Sequence, residues 1–156
     1  MKEEFLHFLW KHKLFLTKKL YSTQNEEIVV VKTGNHNKNS GPDFLNAHLK
    51  INGQAWVGNI EIHLKSSDWY LHYHEVNTNY DAVILHIVWE HDVEVYMKND
   101  KTLPTLELKN YVNNKLLANY RNLFSKELRW IPCERSMDKV DTFLIPKPLP
   151  PISTVY

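Results

Sequence analysis

The chain of 156 residues carries 19 lysines and arginines against 18 aspartates and glutamates, a formal net charge of +1. This length predicts one domain with a sizeable core, and five tryptophans, eight tyrosines and six phenylalanines exclude a largely disordered chain. The balanced charge argues against a strongly basic nucleic-acid binder, although a local basic patch is compatible with it. A single cysteine, Cys133, excludes an internal disulfide and a four-cysteine zinc site.

The N-terminal segment lacks the uninterrupted apolar stretch and the small-residue cleavage site of a signal peptide. No segment approaches the roughly 20 apolar residues that span a bilayer. We therefore expect a soluble, cytoplasmic protein with no membrane partner.

The first elements are a helix and a strand. Apolar residues recur at steps of three and four, which predicts a helix over about residues 2–14: Phe5, Leu6, Phe8, Leu9, Trp10 and Leu14. Residues 27–34 form a β-branched run closed by glycine, which predicts a strand.

A hairpin is predicted next, with strands at residues 44–51 and 56–65 joined at Asn52-Gly53, a dipeptide typical of type I′ turns. The first strand alternates apolar and polar residues, and Leu45 is placed on its apolar face. In the second strand Glu61 and His63 share one face, with Cβ atoms less than about 7 Å apart.

In the second half, residues 66–68 predict the start of a short helix, and residues 81–92 a central, nearly continuous apolar strand. We expect Val93 to Met97 to pair back on that strand. A long helix is predicted from Leu106 to about Leu128. Four prolines exclude regular structure near the C-terminus.

These elements predict an α/β fold, a mixed β-sheet flanked by helices, over residues 1–130. Residues 131–156 are predicted to be a proline-rich extension or linker.

Two carboxylates, Asp43 and Glu61, flank the hairpin and predict a site for a hard divalent cation, Mg²⁺ or Mn²⁺. His63 could act there as a base, a water-orienting donor or a softer ligand. The register raises a conflict, because a two-residue turn pairs Leu45 with Ile60 and places Asp43 on the apolar face, opposite Ile62. A kink after Pro42 or a bulge near Gly58 would be needed to bring the carboxylates together.

Further candidates surround this pair. His72 and His74, with His63 and His86, could form a zinc or manganese site, with zinc expected less than Mg²⁺ or Mn²⁺. His86 could equally satisfy a buried hydrogen bond. Lys65 could supply positive charge or be a solvated lysine, and Tyr80 could reach the site.

Pro42-Asp43, followed by Glu61-Ile62-His63 in a helix–strand–strand–strand–helix–strand order, resembles the restriction-endonuclease-like nucleases. Their motif is Pro-Asp, a gap, then Asp or Glu, any residue, and Lys. The resemblance implies Mg²⁺ or Mn²⁺ bound by Asp43 and Glu61, and cleavage of phosphodiesters in DNA or RNA. His63 stands where that motif has lysine.

The run "SGPDFLNAHLKINGQAWVGNIEIHLKSSDWYLHYHEVNTNYDAVILHIVWEHD" is similar to the signature of a bacterial family, domain of unknown function 2851. It covers about a third of the chain, and "IPCE" near the C-terminus also resembles the family. The resemblance implies an N-terminal portion of a longer protein and no established activity. The proline-rich end is expected to depart from the family pattern.

Two hypotheses remain open. The first is a divalent-metal-dependent nuclease with Asp43, Glu61 and His63 as catalytic residues. The alternative is a catalytically inactive nuclease-like module that binds nucleic acid or a protein partner, which the missing lysine and the neutral charge favour.

Overall fold

The computed structural model of the protein describes residues 1–125. The predicted end of the long helix, Cys133 and the extension at residues 131–156 lie outside the described residues. The chain divides into one unit, Met1–Leu117, and a second unit that begins at Ala118. Among the described residues, no helix is long and apolar enough to cross a membrane.

Three α-helices and seven strands make up the described fold. The helices are α1 (Glu3–Lys11), α2 (Asp68–Leu71) and α3 (Asn114–Ser125), with 3₁₀ turns at Thr78–Tyr80 and Leu108–Tyr111. The strands are β1 (Leu20–Tyr21), β2 (Glu27–Lys32), β3 (Asn35–His36), β4 (Phe44–Ile51), β5 (Gln54–Lys65), β6 (Val83–Glu90) and β7 (Thr105–Glu107).

The strands form one mixed sheet in the order β1-β2-β4-β5-β6-β7, with β3 also paired to β4. Strands β2, β4 and β5 are antiparallel, whereas β6 runs parallel to β5 and β7 parallel to β6. The predicted mixed sheet and α/β class are confirmed. The two-residue strands β1 and β3 lie between α1 and β2 and between β2 and β4, and α2 has only four residues.

The predicted hairpin is present. Ile51 pairs with Gln54, and the intervening Asn52 and Gly53 have φ angles of 49° and 79°. Both values lie in the left-handed region that a type I′ turn requires.

Because of a β-bulge in β4, the observed register differs from the predicted one. Ala47 pairs with Gly58 as expected, but Phe44 and not Leu45 pairs with Ile60, because one extra residue is inserted between them. Asn46 accommodates the insertion with a φ of 55° and donates its amide to Oδ1 of Asn59 across the strands. The placement of Leu45 opposite Ile60 is therefore wrong, and Phe44 is the fully buried residue.

Gly58 lets β6 approach β5 beside the bulge. A Cβ atom on this residue would overlap the side chain of Ile84 and lie 2.7 Å from the carbonyl oxygen of Ala82. Both contacts are too close for any residue with a side chain, so this position requires glycine.

Two predictions for the second half are wrong. Val93 to Met97 does not pair with β6; instead β7 lies beside β6, and residues 95–97 bond back to residues 101–103. The reason is burial, since this turn places Val95 and Leu103 in an apolar cluster with Trp69, Tyr80 and Val83. The long helix begins at Asn114 and not Leu106, because the chain first forms β7 and a 3₁₀ turn.

Helix α1 packs on the sheet through four buried side chains, Phe5, Leu6, Leu9 and Trp10. The indole nitrogen of Trp10 donates to the carbonyl oxygen of Thr33 at 3.0 Å. This packing holds the polar residues of α1 close to the start of β4.

Candidate metal centre

Strand β5 carries two buried polar residues on one face. Glu61 is 6% exposed and His63 2% exposed, while Ile60 and Ile62 fill the core on the other face. Successive side chains of a strand point to opposite faces, so the predicted common face of Glu61 and His63 follows from their spacing. This half of β5 is covered on both faces.

The bulge brings Asp43 beside Glu61. The amide of Asp43 donates to Oε2 of Glu61 at 3.2 Å, and the amide of Ile62 donates to Oδ2 of Asp43 at 2.9 Å. The uniform register would have placed Asp43 on the opposite face. A bulge was one of the two ways to bring the carboxylates together, but the extra residue lies in β4, in the strand opposite Gly58.

The end of α2 directs two more histidines toward this face. The amide of His74 donates to the carbonyl of Trp69 and the amide of Tyr73 to that of Tyr70, both at 3.1 Å. Tyr73 has a φ of 58°, so this is a Schellman turn with tyrosine in the position that glycine usually occupies. His72 and His74 flank this residue.

The histidines converge on Glu61. Nε2 of His63 lies 3.1 Å from Nδ1 of His72 and 3.5 Å from Oε1 of Glu61. Nε2 of His74 lies 3.3 Å from the same oxygen, and the ligand atoms of His63, His72 and His74 all lie within 4.8 Å of one another. Ligands about 2.1 Å from a tetrahedral ion are roughly 3.4 Å apart, close to the three shorter separations. The three histidines could therefore hold a metal ion.

His86 lies behind His63 on the neighbouring parallel strand. Its Nε2 is 2.8 Å from Nδ1 of His63, and the residue is fully buried. Within the described residues, Nδ1 of His86 makes no hydrogen bond. If Nε2 of His63 binds a metal ion, its Nδ1 carries the proton and donates to His86.

Burial determines the protonation of the cluster. Burial and the charge of Asp43 raise the pKa of Glu61 to about 9. Burial and the neighbouring histidines lower the pKa of His63 to about 2, and likewise lower that of His86 to about 3. Burial also lowers the pKa of His74. At neutral pH these histidines are uncharged, which is the form that binds metals, while Glu61 holds a proton that a cation can displace.

Helix α1 adds two residues that the sequence patterns did not single out. Nε2 of His7 lies 3.1 Å from Oδ2 of Asp43. Burial lowers the pKa of His7, but its hydrogen bond to Asp43 and the charge of Asp43 outweigh burial, so the net direction is upward. Burial and Asp43 raise the pKa of Glu3 to about 7. The available signal was the four-residue spacing of Glu3 and His7, which puts them on one face of the helix.

The remaining candidates divide between the cluster and the surface. Tyr80 is buried and stacks on His74 with ring centroids 3.7 Å apart. Burial, with Glu61 and Asp43, raises the pKa of the Tyr80 hydroxyl to about 12. Lys65 is exposed at the end of β5, so the structure does not bring it into the buried cluster.

Fold and site together define a mixed-sheet α/β domain with a buried centre of histidines and carboxylates. The family described as "Protein of unknown function (DUF2851)" matches residues 3–152. The chain belongs to this family. The match includes most of the proline-rich end, which was expected to depart from the family pattern. Comparison with curated proteins and with solved structures finds no match.

Proposed function

We propose that the protein is a divalent-metal-dependent phosphodiesterase that acts on nucleic acid. The proposed ligands are Glu61, His63, His72 and His74. One observation carries this proposal: three donor separations of 3.1, 3.3 and 3.5 Å within one cluster.

The donor set favours a first-row transition ion. Three imidazole nitrogens and one carboxylate oxygen suit Mn²⁺ or Zn²⁺ better than Mg²⁺, which prefers oxygen ligands and retains water. This differs from the sequence-based expectation of a cation held by Asp43 and Glu61. His72 is exposed, so the proposed centre opens to solvent on its side.

A bound divalent ion would supply Lewis-acid stabilisation of phosphate charge and a nucleophilic water near neutral pH. In this proposal Glu61 and the three histidines fix the position of the ion. His63 cannot replace the positive charge of a catalytic lysine, since its pKa is lowered to about 2. In this proposal His7, whose protonated form Asp43 favours, would be the general acid that donates a proton to the leaving oxygen.

The order of elements supports the choice of phosphodiester chemistry. Asp43 directly precedes β4, Glu61 and His63 lie on the antiparallel strand β5, and β6 is parallel to β5. The reason for the choice is the resemblance of Pro42-Asp43 followed by Glu61-Ile62-His63 to the restriction-endonuclease-like motif. The four-residue α2 and His63 in place of lysine are the departures from that pattern.

The test combines metal binding with cleavage. Calorimetry should show Mn²⁺ or Zn²⁺ binding one site more tightly than Mg²⁺, and labelled DNA or RNA should be cleaved only with metal present. Glu61→Gln should abolish both. The matched control is His48→Ala, which removes an exposed histidine of β4 and should change neither.

Two results would contradict the proposal. If the folded protein bound none of these ions, the proposed metal centre would be contradicted. A protein that binds metal and nucleic acid but cleaves neither DNA nor RNA would instead favour the inactive binding module.

A further inference from the structure

Two stretches near the N-terminus are basic, although the whole chain is almost neutral. Residues 5–25 and 28–42 contain six lysines and no aspartate or glutamate, whereas the formal net charge of the chain is only +1. The six are Lys11, Lys13, Lys18, Lys19, Lys32 and Lys38. The positive charge is therefore concentrated in one part of the sequence, which the total does not reveal.

The fold brings the two stretches together at the end of α1. The Nζ atom of Lys13 donates to the carbonyl oxygen of Val31 at 3.5 Å, so the residues that follow α1 lie against the end of β2. Strand β3 and the loop after it come next in the chain. Three exposed lysines lie in α1, directly after α1 and in that loop, and we call them the basic patch: Lys11, Lys13 and Lys38.

His36 of β3 lies between the basic patch and the candidate metal centre. Its ring centroid is 5.6 Å from that of His7, whose Nε2 is 3.1 Å from Oδ2 of Asp43. Burial and then the charge of His7 lower the pKa of His36. Lys11 and Lys38 lower it further, whereas Asp43 opposes them. These two lysines, from different elements, therefore lie close to the same imidazole ring.

Both elements of the patch are held beside the carboxylates. The amide of Asn37 donates to the carbonyl oxygen of Asp43 at 2.7 Å, so the loop that carries Lys38 starts next to the first carboxylate. Lys11 follows His7 by four residues, which places it on the same face of α1 and about 6 Å further along the helix axis. The patch thus borders the centre on the side of α1.

The charges of the patch suit a polyanion. Within the described residues, Lys11 and Lys38 form no ion pair with a carboxylate. Lysines that neutralise the phosphates of a nucleic acid release condensed counterions, which gives an affinity that depends on salt and not on sequence. An ammonium group is a point charge without the planar fork with which arginine reads guanine, so it suits phosphate contacts.

We propose that the basic patch binds the phosphate backbone of nucleic acid next to the metal centre, so that the substrate is held through its phosphates and irrespective of base sequence. The inference rests on the proposed function. It also gives the substrate a direction, since a strand whose reacting phosphate lies at the centre continues over His7 toward Lys11.

The experiment measures binding of labelled DNA and RNA oligonucleotides of mixed sequence by fluorescence anisotropy at several salt concentrations, in a Glu61→Gln background that prevents cleavage. The test variant combines Lys11→Gln with Lys38→Gln. We expect its affinity to fall about tenfold at low ionic strength, and the slope of log affinity against log salt concentration to become shallower by about 2. The matched control combines Lys98→Gln with Lys101→Gln, which removes two exposed charges from the turn at residues 95–103 and should leave both quantities unchanged.

Two further measurements separate phosphate contacts from other roles of the lysines. Oligonucleotides of different base sequence should lose the same factor of affinity in the test variant, because phosphate contacts carry no sequence information. With Glu61 intact, the substitutions at Lys11 and Lys38 should leave Mn²⁺ binding in calorimetry unchanged.

Equal affinities and equal salt slopes for the test and control variants would overturn the inference, as would a protein that binds no oligonucleotide. Binding that depends on the patch but is confined to vesicles containing phosphatidylglycerol would also overturn it. The two proposals fail separately. Patch-dependent oligonucleotide binding without cleavage by the wild type contradicts only the proposed catalysis, whereas cleavage with a KM that is indifferent to Lys11 and Lys38 contradicts only the role of the patch.

Discussion

Among the buried histidines, His86 contacts the candidate metal centre only through another side chain. Its Nε2 is 2.8 Å from Nδ1 of His63, whose Nε2 faces His72 and Glu61. A hydrogen bond to the outer nitrogen of a histidine ligand fixes its tautomer and its ring orientation. His86 is therefore a positioning residue and not a ligand.

Replacing His86 should weaken metal binding without removing a donor. His86→Leu is expected to lower Mn²⁺ or Zn²⁺ affinity about 10- to 100-fold. His86→Gln, whose amide oxygen can accept the same hydrogen bond, should recover most of the loss. Calorimetry on both variants and on His48→Ala provides the measurement. Equal affinities for the Leu and Gln variants would mean that the side chain only fills space.

Part of the site follows from local spacing alone. Glu61 and His63 share a face because they are two residues apart in a strand. Glu3 and His7 were missed because the pattern of α1 gives its apolar face but not which strand end its polar residues meet. That contact depends on how α1 packs against β5 and the start of β4. The spacing of residues within the helix does not predict this packing.

At the scale of elements, Asn46 maintains the bulge that unites the carboxylates. Its φ of 55° suits asparagine and glycine but is strongly unfavourable for a β-branched residue. The cross-strand hydrogen bond that Asn46 makes to Asn59 is donated by its backbone amide, which any substitution except proline keeps.

The variants Asn46→Gly and Asn46→Val separate conformation from side-chain chemistry. Asn46→Gly should keep both stability and metal affinity. Asn46→Val should destabilise the protein by about 1–2 kcal/mol and weaken metal binding, because the strained residue favours the uniform register that moves Asp43 away from Glu61. Urea unfolding and calorimetry test both effects. Identical behaviour of the two variants would show that the bulge does not depend on this residue.

Helix α1 ends in the same kind of turn as α2. The amide of Leu14 donates to Leu9 and that of Lys13 to Trp10, and Lys13 has a φ of 51°. Lys13→Gly should raise the free energy of unfolding by about 1 kcal/mol, since glycine adopts this conformation without the Cβ penalty. Urea denaturation measures the change. A loss of stability would show that the lysine side chain contributes more than its backbone strain costs.

The hairpin and its turn were predictable because Asn52 and Gly53 are chemically suited to positive φ. The bulge was not predictable, since counting residues from the turn assumes that the strands pair without an inserted residue. The β7 strand was also missed, because residues 105–107 are too few to give a period and their place beside β6 is set by contacts distant in sequence.

For the whole molecule, the buried Glu61 makes stability depend on pH. Its pKa is about 9 in the folded state and about 4.5 when unperturbed. Between these values the folded protein binds a proton that the unfolded chain has released. Stability from this group is fully present below the lower value and is lost as pH rises toward the upper one.

In the presence of a metal chelator, the wild type should therefore lose stability relative to Glu61→Gln as pH rises. From pH 7.5 to 8.5 we expect the difference in free energy of unfolding to shift by about 1 kcal/mol against the wild type. Glu3, with a pKa raised to about 7, has largely ionised before this window and contributes little. Urea unfolding at the two pH values measures the shift. If the free energies of unfolding of the two proteins changed equally with pH, Glu61 would be ionised in the folded state.

The fold class was accessible from the order of periodic segments, and the mixed sheet agrees with it. Parallel pairing of β5 with β6 could be anticipated because a helix separates two strands of one sheet. The turn at residues 95–103 could not, since Val95 and Leu103 are buried by side chains from α2, the 3₁₀ turn after it and the start of β6. Such contacts join segments that no local window contains.

The single extra residue in β4 also decides which face of the hairpin each residue before it occupies. Side chains alternate between two faces, so inserting one residue exchanges the faces for everything on the far side of the insertion. A chain that lacked Asn46 would keep its turn and the pairing of Ala47 with Gly58, yet would present Asp43 to the apolar side and Phe44 to the polar one. Gain or loss of one codon at this position would thus move Asp43 onto or off the face that carries Glu61, without altering Glu61 or any of the histidines beside it.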